Sequence, residues 1–172
     1  MTDFLAKRTW GPEPSYPKVL SVPKVPREML VVAGPCSIES SDQIRIIAAG
    51  LARLGIRWMR GGVYRAGTYP PENPGLRVEL LDSWAQTARA NRLGTIVEVV
   101  DMATIDALMQ HADAFQVGAR QMQNYGLLRL LADQSRPIFL KRNMGATLDE
   151  FLGSAEYLLS GTGSPPVVLV ER

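Results

Sequence analysis

From residue 30 onward, short apolar runs alternate with segments in which apolar residues recur every three to four positions. A short apolar run bounded by Gly or Pro is typical of a buried strand, and the longer spacing is typical of an amphipathic helix. Strict alternation of the two predicts βα units and a parallel sheet. The predicted strands are 30–33, 56–60, 95–99, 114–117, 137–140 and 167–170.

A predicted helix lies between each strand and the next. Two of these helices begin with a capping-box pattern, Ser40 with Gln43 and Thr147 with Glu150. Gly55 is expected to end the first helix. The apolar stripe predicted for that helix consists of Ile44, Ile47, Ala48, Leu51 and Leu54.

The first 28 residues have a different pattern from the rest. They contain five prolines, which exclude a long helix and predict an extended arm. We therefore divide the chain into an arm, 1–28, and a partial (β/α) fold, 29–172. Six strands fit an incomplete TIM-type barrel, whose full form usually takes about 250 residues. An open doubly wound sheet is the alternative, although no Gly-rich phosphate fingerprint follows the first strand.

Composition and charge narrow the functional classes. The formal net charge is only +2, and the basic residues are interspersed with acidic ones, which favours neither nucleic acid nor a membrane surface as partner. A single cysteine fits a reducing compartment, and the N-terminus lacks a signal-peptide pattern, so a cytoplasmic location is expected. The open edges of a parallel apolar sheet predict a homo-oligomer or a partner chain that covers them.

Charged side chains collect where the predicted strands end. In a parallel barrel these ends share one face, so a group of basic side chains there indicates a site for phosphate and carboxylate. The alternative is a set of solvated surface charges. The basic residues at or just beyond the strand ends are Arg60, Arg65, Arg120, Lys141, Arg142 and Arg172, and the acidic ones are Glu98, Asp101 and Glu171.

The turn after the first strand presents the chain's only cysteine. Gly34 and Pro35 prevent this turn from becoming helical, and Cys36 follows them directly before the predicted helix. Strand-to-helix turns are where α/β proteins place their chemistry. The alternative interpretation is a small apolar turn residue.

Six stretches of sequence, colinear from about residue 30 to the end, resemble one enzyme family. They are 33–40 (AGPCSIES), 60–62 (RGG), 98–101 (EVVD), 116–124 (QVGARQMQN), 140–145 (LKRNMG) and 170–172 (VER). These stretches look like the corresponding motifs of the 3-deoxy-7-phosphoheptulonate (DAHP) synthase family, specifically of its short type, which is related to KDO8P synthase. The resemblance implies a TIM barrel that condenses phosphoenolpyruvate with erythrose 4-phosphate in aromatic biosynthesis.

The resemblance also implies roles for single residues. Cys36 takes the position of a ligand to a divalent metal such as Mn, Fe, Co or Zn, which in the family polarises the aldehyde. Lys141, Glu98 and Arg65 take catalytic positions, with Glu98 orienting the basic groups or a water molecule. The residues implied to hold phosphoenolpyruvate or a similar phospho-carboxylate are Arg60, Arg65, Arg120, Lys141 and Arg172.

Two departures from the family pattern keep a second function open. The Lys-Pro-Arg-Thr motif appears here as residues 65–68 (RAGT), in which Gly67 replaces the arginine that grips the aldose phosphate. The family's further metal ligands, a His, a Glu and an Asp, belong to strands beyond Arg172, and one thiolate is a poor site for a divalent cation. The alternative is therefore an inactive, metal-free phosphoenolpyruvate-binding or structural partner protein of the same fold.

Overall fold

The computed structural model describes residues 30–63 and 79–171. The predicted alternation of strands and helices is confirmed over this range, whereas the 1–28 arm, Arg65 and Arg172 lie outside the described residues. The elements in chain order are β1 (Val32–Ala33), α1 (Ser41–Arg53), β2 (Trp58–Gly61), α2 (Glu79–Ala90), β3 (Gly94–Val99), a 3-10 turn (Met102–Thr104), α3 (Ile105–Met109), β4 (Ala114–Val117), a second 3-10 turn (Ala119–Gln121), α4 (Tyr125–Ala132), β5 (Ile138–Lys141), α5 (Leu148–Leu159) and β6 (Val167–Val170).

The described residues fall into two compact units, which we call the first unit (30–63 and 79–116) and the second unit (117–171). In the first unit β1 pairs with β2 and β2 with β3, and both pairs are parallel. In the second unit β5 and β6 pair in parallel. Each of these pairs joins strands that are consecutive in the chain with a helix between them, which is the connectivity of a (β/α) fold. No helix among the described residues has the length and apolar character needed to span a bilayer.

The ends of α1 follow the predicted signals with one correction. The Ser40 hydroxyl accepts a hydrogen bond from the Gln43 amide, as predicted, while the Gln43 side chain accepts one from the Glu39 amide rather than from that of Ser40. Gly55 follows the helix with a φ of 73°, a left-handed conformation typical of helix ends. Leu54, expected in the core as part of the apolar stripe, is 77% exposed. The reason is that α1 ends at Arg53 and the chain changes direction at Gly55.

The second unit is built around the packing of α4 against α5. The ring centroids of Tyr125 and Tyr157 lie 4.5 Å apart, and the Arg129 guanidinium carbon lies 5.6 Å from the centroid of the Tyr157 ring. The loop after α5 returns to the end of α4, where the Asp133 carboxylate accepts hydrogen bonds from the Thr162 amide and hydroxyl. These contacts close the helix pair at the end opposite to the capping box of α5.

Two carboxylates of this unit are held in their charged form. The Thr162 amide and hydroxyl lower the pKa of Asp133 below its ordinary 3.8. The Thr147 amide and hydroxyl, which complete the predicted capping box, lower the pKa of Glu150 below its ordinary 4.5. Hydrogen bonds to a carboxylate favour its ionised form, so both groups are more acidic in the folded chain than in the unfolded one.

Acid is therefore expected to destabilise the chain through these two groups. Their contribution is complete above the unfolded-state pKa values, near pH 4, and is lost as the pH falls through the lower folded-state values. The check is urea unfolding of the parent chain and of the Asp133→Asn Glu150→Gln double variant at pH 7 and pH 3. The variant should be less stable at pH 7 and should lose less stability on acidification. An equal acid loss in both chains would contradict the assignment.

Candidate active site

Cys36 and Arg60 meet at the C-terminal ends of β1 and β2. An Arg60 guanidinium nitrogen donates to the Cys36 sulfur at 3.6 Å, with the thiol exposed and Arg60 half-buried. The turn that carries the thiol is tied to the end of β2, because the Ile38 amide donates to the Gly62 carbonyl at 2.8 Å. The structure thus brings the side chains of Cys36 and Arg60 together at these two strand ends.

Gly34 permits this close approach. It adopts a φ of 148°, and a Cβ atom there would lie 2.0 Å from the Arg60 carbonyl oxygen. No side chain can be accommodated at that distance from a backbone atom, so the Gly-Pro turn of the sequence is a steric requirement of the β1–β2 contact.

The register of β2 and β3 places Arg60 and Glu98 on one face of the sheet. Arg60 lies opposite Ile96, and Glu98 is two residues further along β3, so all three side chains share a face. The opposite face packs on the helices, since a Cβ on Gly61 would lie 3.5 Å from the Trp84 indole nitrogen of α2. Glu98 is half-buried like Arg60. In the first unit, Arg60 and Glu98 therefore share the face of the sheet opposite to the one on which Trp84 of α2 packs.

In the second unit, Lys141 is the last residue of β5 and is half-buried. Arg120 lies in the 3-10 turn directly after β4, and its side chain is exposed. Both therefore stand at strand ends, as predicted. Arg65 and Arg172, which were predicted to bind the same ligand, lie outside the described residues.

Arg142 does not behave as a member of the anion site. Its guanidinium makes two parallel hydrogen bonds to the Glu171 carboxylate, at 2.7 and 2.9 Å, and a third to the Ala146 carbonyl. The hydrogen bond to Glu171 raises the pKa of Arg142 above its ordinary value. This cation is therefore bound to the end of β6 and to the loop after β5, which corrects the expectation that every basic side chain at a strand end serves an anion.

Sequence reasoning missed the role of Glu171, although a signal for it was present. Lys141 pairs with Val170 across β5 and β6, so Arg142 and Glu171 each lie one residue beyond a paired position. Opposite charges directly across two paired strands attract one another. The carbonyl of Ala146 as a third partner has no sequence signal, because any residue supplies a carbonyl.

Among the described residues, no three His, Cys, Asp or Glu side chains gather into a group that could hold a metal ion. Cys36 is the predicted ligand, and its sulfur accepts a hydrogen bond from a guanidinium. A fixed positive charge 3.6 Å from the sulfur disfavours a second cation there. The residues that surround Cys36 in the described part of the chain therefore do not fit a divalent metal, and we derive no chemical step through one.

A sequence model of the DAHP synthetase I family matches residues 26–172. The chain belongs to this family. A curated relative, the phospho-2-dehydro-3-deoxyheptonate aldolase of Thermotoga maritima, is 33% identical over 142 residues, which cover 83% of this chain and 42% of the relative. The resemblance seen in the six sequence stretches is thereby confirmed at the level of the family.

Two solved structures of DAHP synthase from Thermotoga maritima share the fold. One, a phospho-2-dehydro-3-deoxyheptonate aldolase, has a TM-score of 0.73 at 31% identity and is matched over 80% of this chain and 39% of its own. The other, a truncated form of 3-deoxy-D-arabino-heptulosonate 7-phosphate synthase, has a TM-score of 0.68 at 30% identity, over 80% and 48%. The predicted fold class, an incomplete TIM-barrel type, is confirmed. This chain spans less than half the length of each of these relatives.

Proposed function

We propose that this chain binds phosphoenolpyruvate as part of a DAHP synthase-type transferase, which condenses it with an aldose phosphate, erythrose 4-phosphate in the family. The observation that carries the proposal is the half-buried Arg60 guanidinium, held at a strand end beside Cys36 and on the same face as Glu98. Family membership supports the substrate class, because the family is known for this condensation.

The chemistry of phosphoenolpyruvate suits these side chains. The ligand carries a phosphate and a carboxylate, and a guanidinium can bind either group through two parallel hydrogen bonds. Lys141 supplies a compact charge that suits a phosphate oxygen. By resemblance, we assign binding of the same ligand also to Arg65, Arg120, Lys141 and Arg172. The resemblance likewise assigns the catalytic roles to Lys141, Glu98 and Arg65.

A second function is favoured by the surroundings of Cys36. The side chain that contacts this thiol is a guanidinium, which is not a metal ligand. The chain is therefore also suited to bind phosphoenolpyruvate without a metal and without condensing it. It would then act as an inactive binding protein or as a structural partner of a synthase. The two functions share the ligand and differ in whether phosphate is released when an aldose phosphate is added.

The test is a calorimetric titration of the purified chain with phosphoenolpyruvate, with and without Mn²⁺. We expect Arg60→Ala and Arg120→Ala each to weaken binding about 10- to 100-fold, since a hydrogen bond between charged groups contributes about 1.5–3 kcal/mol. Cys36→Ala should leave the metal-free affinity nearly unchanged. Arg129→Ala, which removes an exposed arginine from α4, is the matched control.

The outcomes separate the hypotheses. Binding that requires Mn²⁺ and is lost equally in Cys36→Ala and Arg120→Ala would show that the thiol serves a metal after all. Loss of affinity in the Arg129→Ala control would show that general charge, not a defined site, attracts the ligand. Release of phosphate after addition of erythrose 4-phosphate would distinguish the transferase from the inactive binding protein.

A further inference from the structure

The side chain of Arg142 joins three segments of the second unit just beyond the end of β5. Its guanidinium donates to both carboxylate oxygens of Glu171, directly after β6, and to the Ala146 carbonyl in the loop before α5. The Arg142 amide also donates to the Val170 carbonyl at 3.0 Å, so the hydrogen-bonded ladder between β5 and β6 continues as far as this residue. We call Arg142, Glu171 and the Ala146 carbonyl the clamp.

The clamp lies next to residues that we assign to phosphoenolpyruvate. Lys141 pairs with Val170 across β5 and β6, and Arg142 and Glu171 each follow one member of that pair. Glu171 in turn directly precedes Arg172 in the sequence. Lys141 is the only lysine in residues 25–172, so no other lysine of this range can take over its role. Any change in the clamp therefore acts on the backbone that carries this ammonium group.

Arg142 and Lys141 lie on opposite faces of the sheet. Along β5, Ile138 and Leu140 are fully buried, whereas Phe139 and Lys141 are half-buried. Side chains of successive strand residues alternate between the two faces, and the ladder extends to Arg142, which therefore shares the face of Ile138 and Leu140. Its guanidinium is directed away from a ligand that Lys141 would hold, so Arg142 is not itself placed to bind that ligand.

The contacts of the clamp require an arginine. The Nε and Nη2 atoms of Arg142 serve the Glu171 carboxylate, and its Nη1 atom serves the Ala146 carbonyl. The planar guanidinium holds these donors in fixed directions, whereas a lysine ammonium is a single flexible point of charge. The Arg142 side chain is only 24% exposed, so water competes little for these hydrogen bonds. The clamp therefore fixes the backbone directly after Lys141 in one geometry.

We propose that Arg142 is a positioning residue for phosphoenolpyruvate. Through Glu171 and the Ala146 carbonyl it fixes the end of β5, and with it the direction in which Lys141 presents its ammonium group to the ligand. The inference rests on the proposed function, which assigns this ligand to Lys141. A displacement of about 1 Å in a binding group can cost about 100-fold, so a residue that does not touch the ligand can still control its affinity.

The test is a double-mutant cycle, read by calorimetric titration of the full chain with phosphoenolpyruvate. Arg142→Ala should weaken binding about 10-fold. Because Arg142 acts through Lys141, the Arg142→Ala Lys141→Ala double variant should bind no more weakly than Lys141→Ala alone. Arg142→Lys keeps the charge without the planar donors and should bind as weakly as Arg142→Ala. Arg45→Ala, which removes an arginine paired with Asp42 at 3.1 Å, is the matched control and should bind like the parent chain.

A second measurement reads the clamp without any ligand. Labelling the lysines with ¹⁵N gives one backbone amide signal for each of Lys7, Lys18, Lys24 and Lys141, and only the last of these lies beyond residue 24. Glu171→Gln preserves the size of the side chain and does not neighbour Lys141 in the sequence. This variant should shift and broaden the Lys141 signal, and the Arg45→Ala control should leave it unchanged.

The outcomes distinguish this inference from the proposed function. Losses of affinity that multiply in the double variant, or parent-like binding by Arg142→Lys, would overturn the positioning role, because Arg142 would then act by itself or by charge alone. If Arg142→Ala fails to fold, Glu171→Gln takes its place in the cycle. A parent chain that does not bind phosphoenolpyruvate would contradict the proposed function, and the clamp is then judged by the Lys141 signal. An unchanged signal in Glu171→Gln would overturn the positioning role.

Discussion

Replacing Gly34 with alanine should destabilise the chain by about 3 kcal/mol or more and abolish binding of phosphoenolpyruvate. The new Cβ would lie 2.0 Å from the Arg60 carbonyl oxygen, and the φ of 148° disfavours any residue with a side chain. Relief of the clash requires β1 to move away from the end of β2. That movement separates Cys36 from Arg60 and shifts the guanidinium that we assign to the ligand.

Urea unfolding measures the first effect and calorimetry the second. The matched control is Gly50→Ala in the C-terminal part of α1, where an added Cβ meets nothing within 4 Å. That variant should gain about 0.5–1 kcal/mol, because alanine costs less conformational entropy in a helix than glycine does. A Gly34→Ala chain with the parent's unfolding midpoint would show that the β1–β2 contact tolerates a side chain.

Substitutions at Trp84 should distinguish the stability that its packing contributes from the cost of its buried indole N–H. Trp84 is fully buried, and its indole N–H has no hydrogen-bond partner among the described residues. Trp84→Ala should lower the free energy of unfolding by about 3–5 kcal/mol, because it creates a cavity where α2 packs on β2. Trp84→Phe should cost much less, because it keeps most of the ring and removes a buried N–H whose desolvation is unfavourable by about 1–3 kcal/mol.

Thermal and urea unfolding of the two variants provide the comparison. If Trp84→Phe were as unstable as Trp84→Ala, the indole N–H would have a partner that stabilises it, and the interpretation of this position as pure packing would be wrong. The same pair of variants also reports on the site, since Trp84 packs beside Gly61 at the end of β2. Loss of ligand affinity without loss of stability would show that α2 positions Arg60.

The structure also changes how the basic residues at the strand ends are understood. The sequence groups six of them as one anion site, but Arg142 is held by Glu171 and by the Ala146 carbonyl. A bidentate guanidinium–carboxylate pair is well suited to fix a loop. Arg142 therefore shapes the backbone that follows Lys141, whereas the neighbouring lysine remains a candidate for the ligand.

Family membership and proposed activity rest on different observations. The family is established by a match that runs from residue 26 to the last residue. The activity is a proposal, because the chain spans 42% of its curated relative and the described residues around Cys36 do not fit a metal. The titration with and without Mn²⁺ addresses this difference directly.

Local signals in the sequence were sufficient to predict the secondary-structure elements and to identify the family. The apolar periodicity identified β4 and β6 with their observed bounds, and the cap of α5 appeared as predicted. These features depend on interactions between residues a few positions apart, which the sequence displays directly. The order of the motifs along the chain was enough to recognise the family.

Contacts between distant residues were decided only by the tertiary structure. Leu54 continues the apolar spacing of α1 but is exposed, because the chain turns at Gly55 before the sheet can cover it. The binding of Arg60 to Cys36 and of Arg142 to Glu171 depends on strand register and on backbone distances such as the one at Gly34. Residue types alone indicate which side chains can bind an anion, and only their packed positions determine which of them are already bound within the chain.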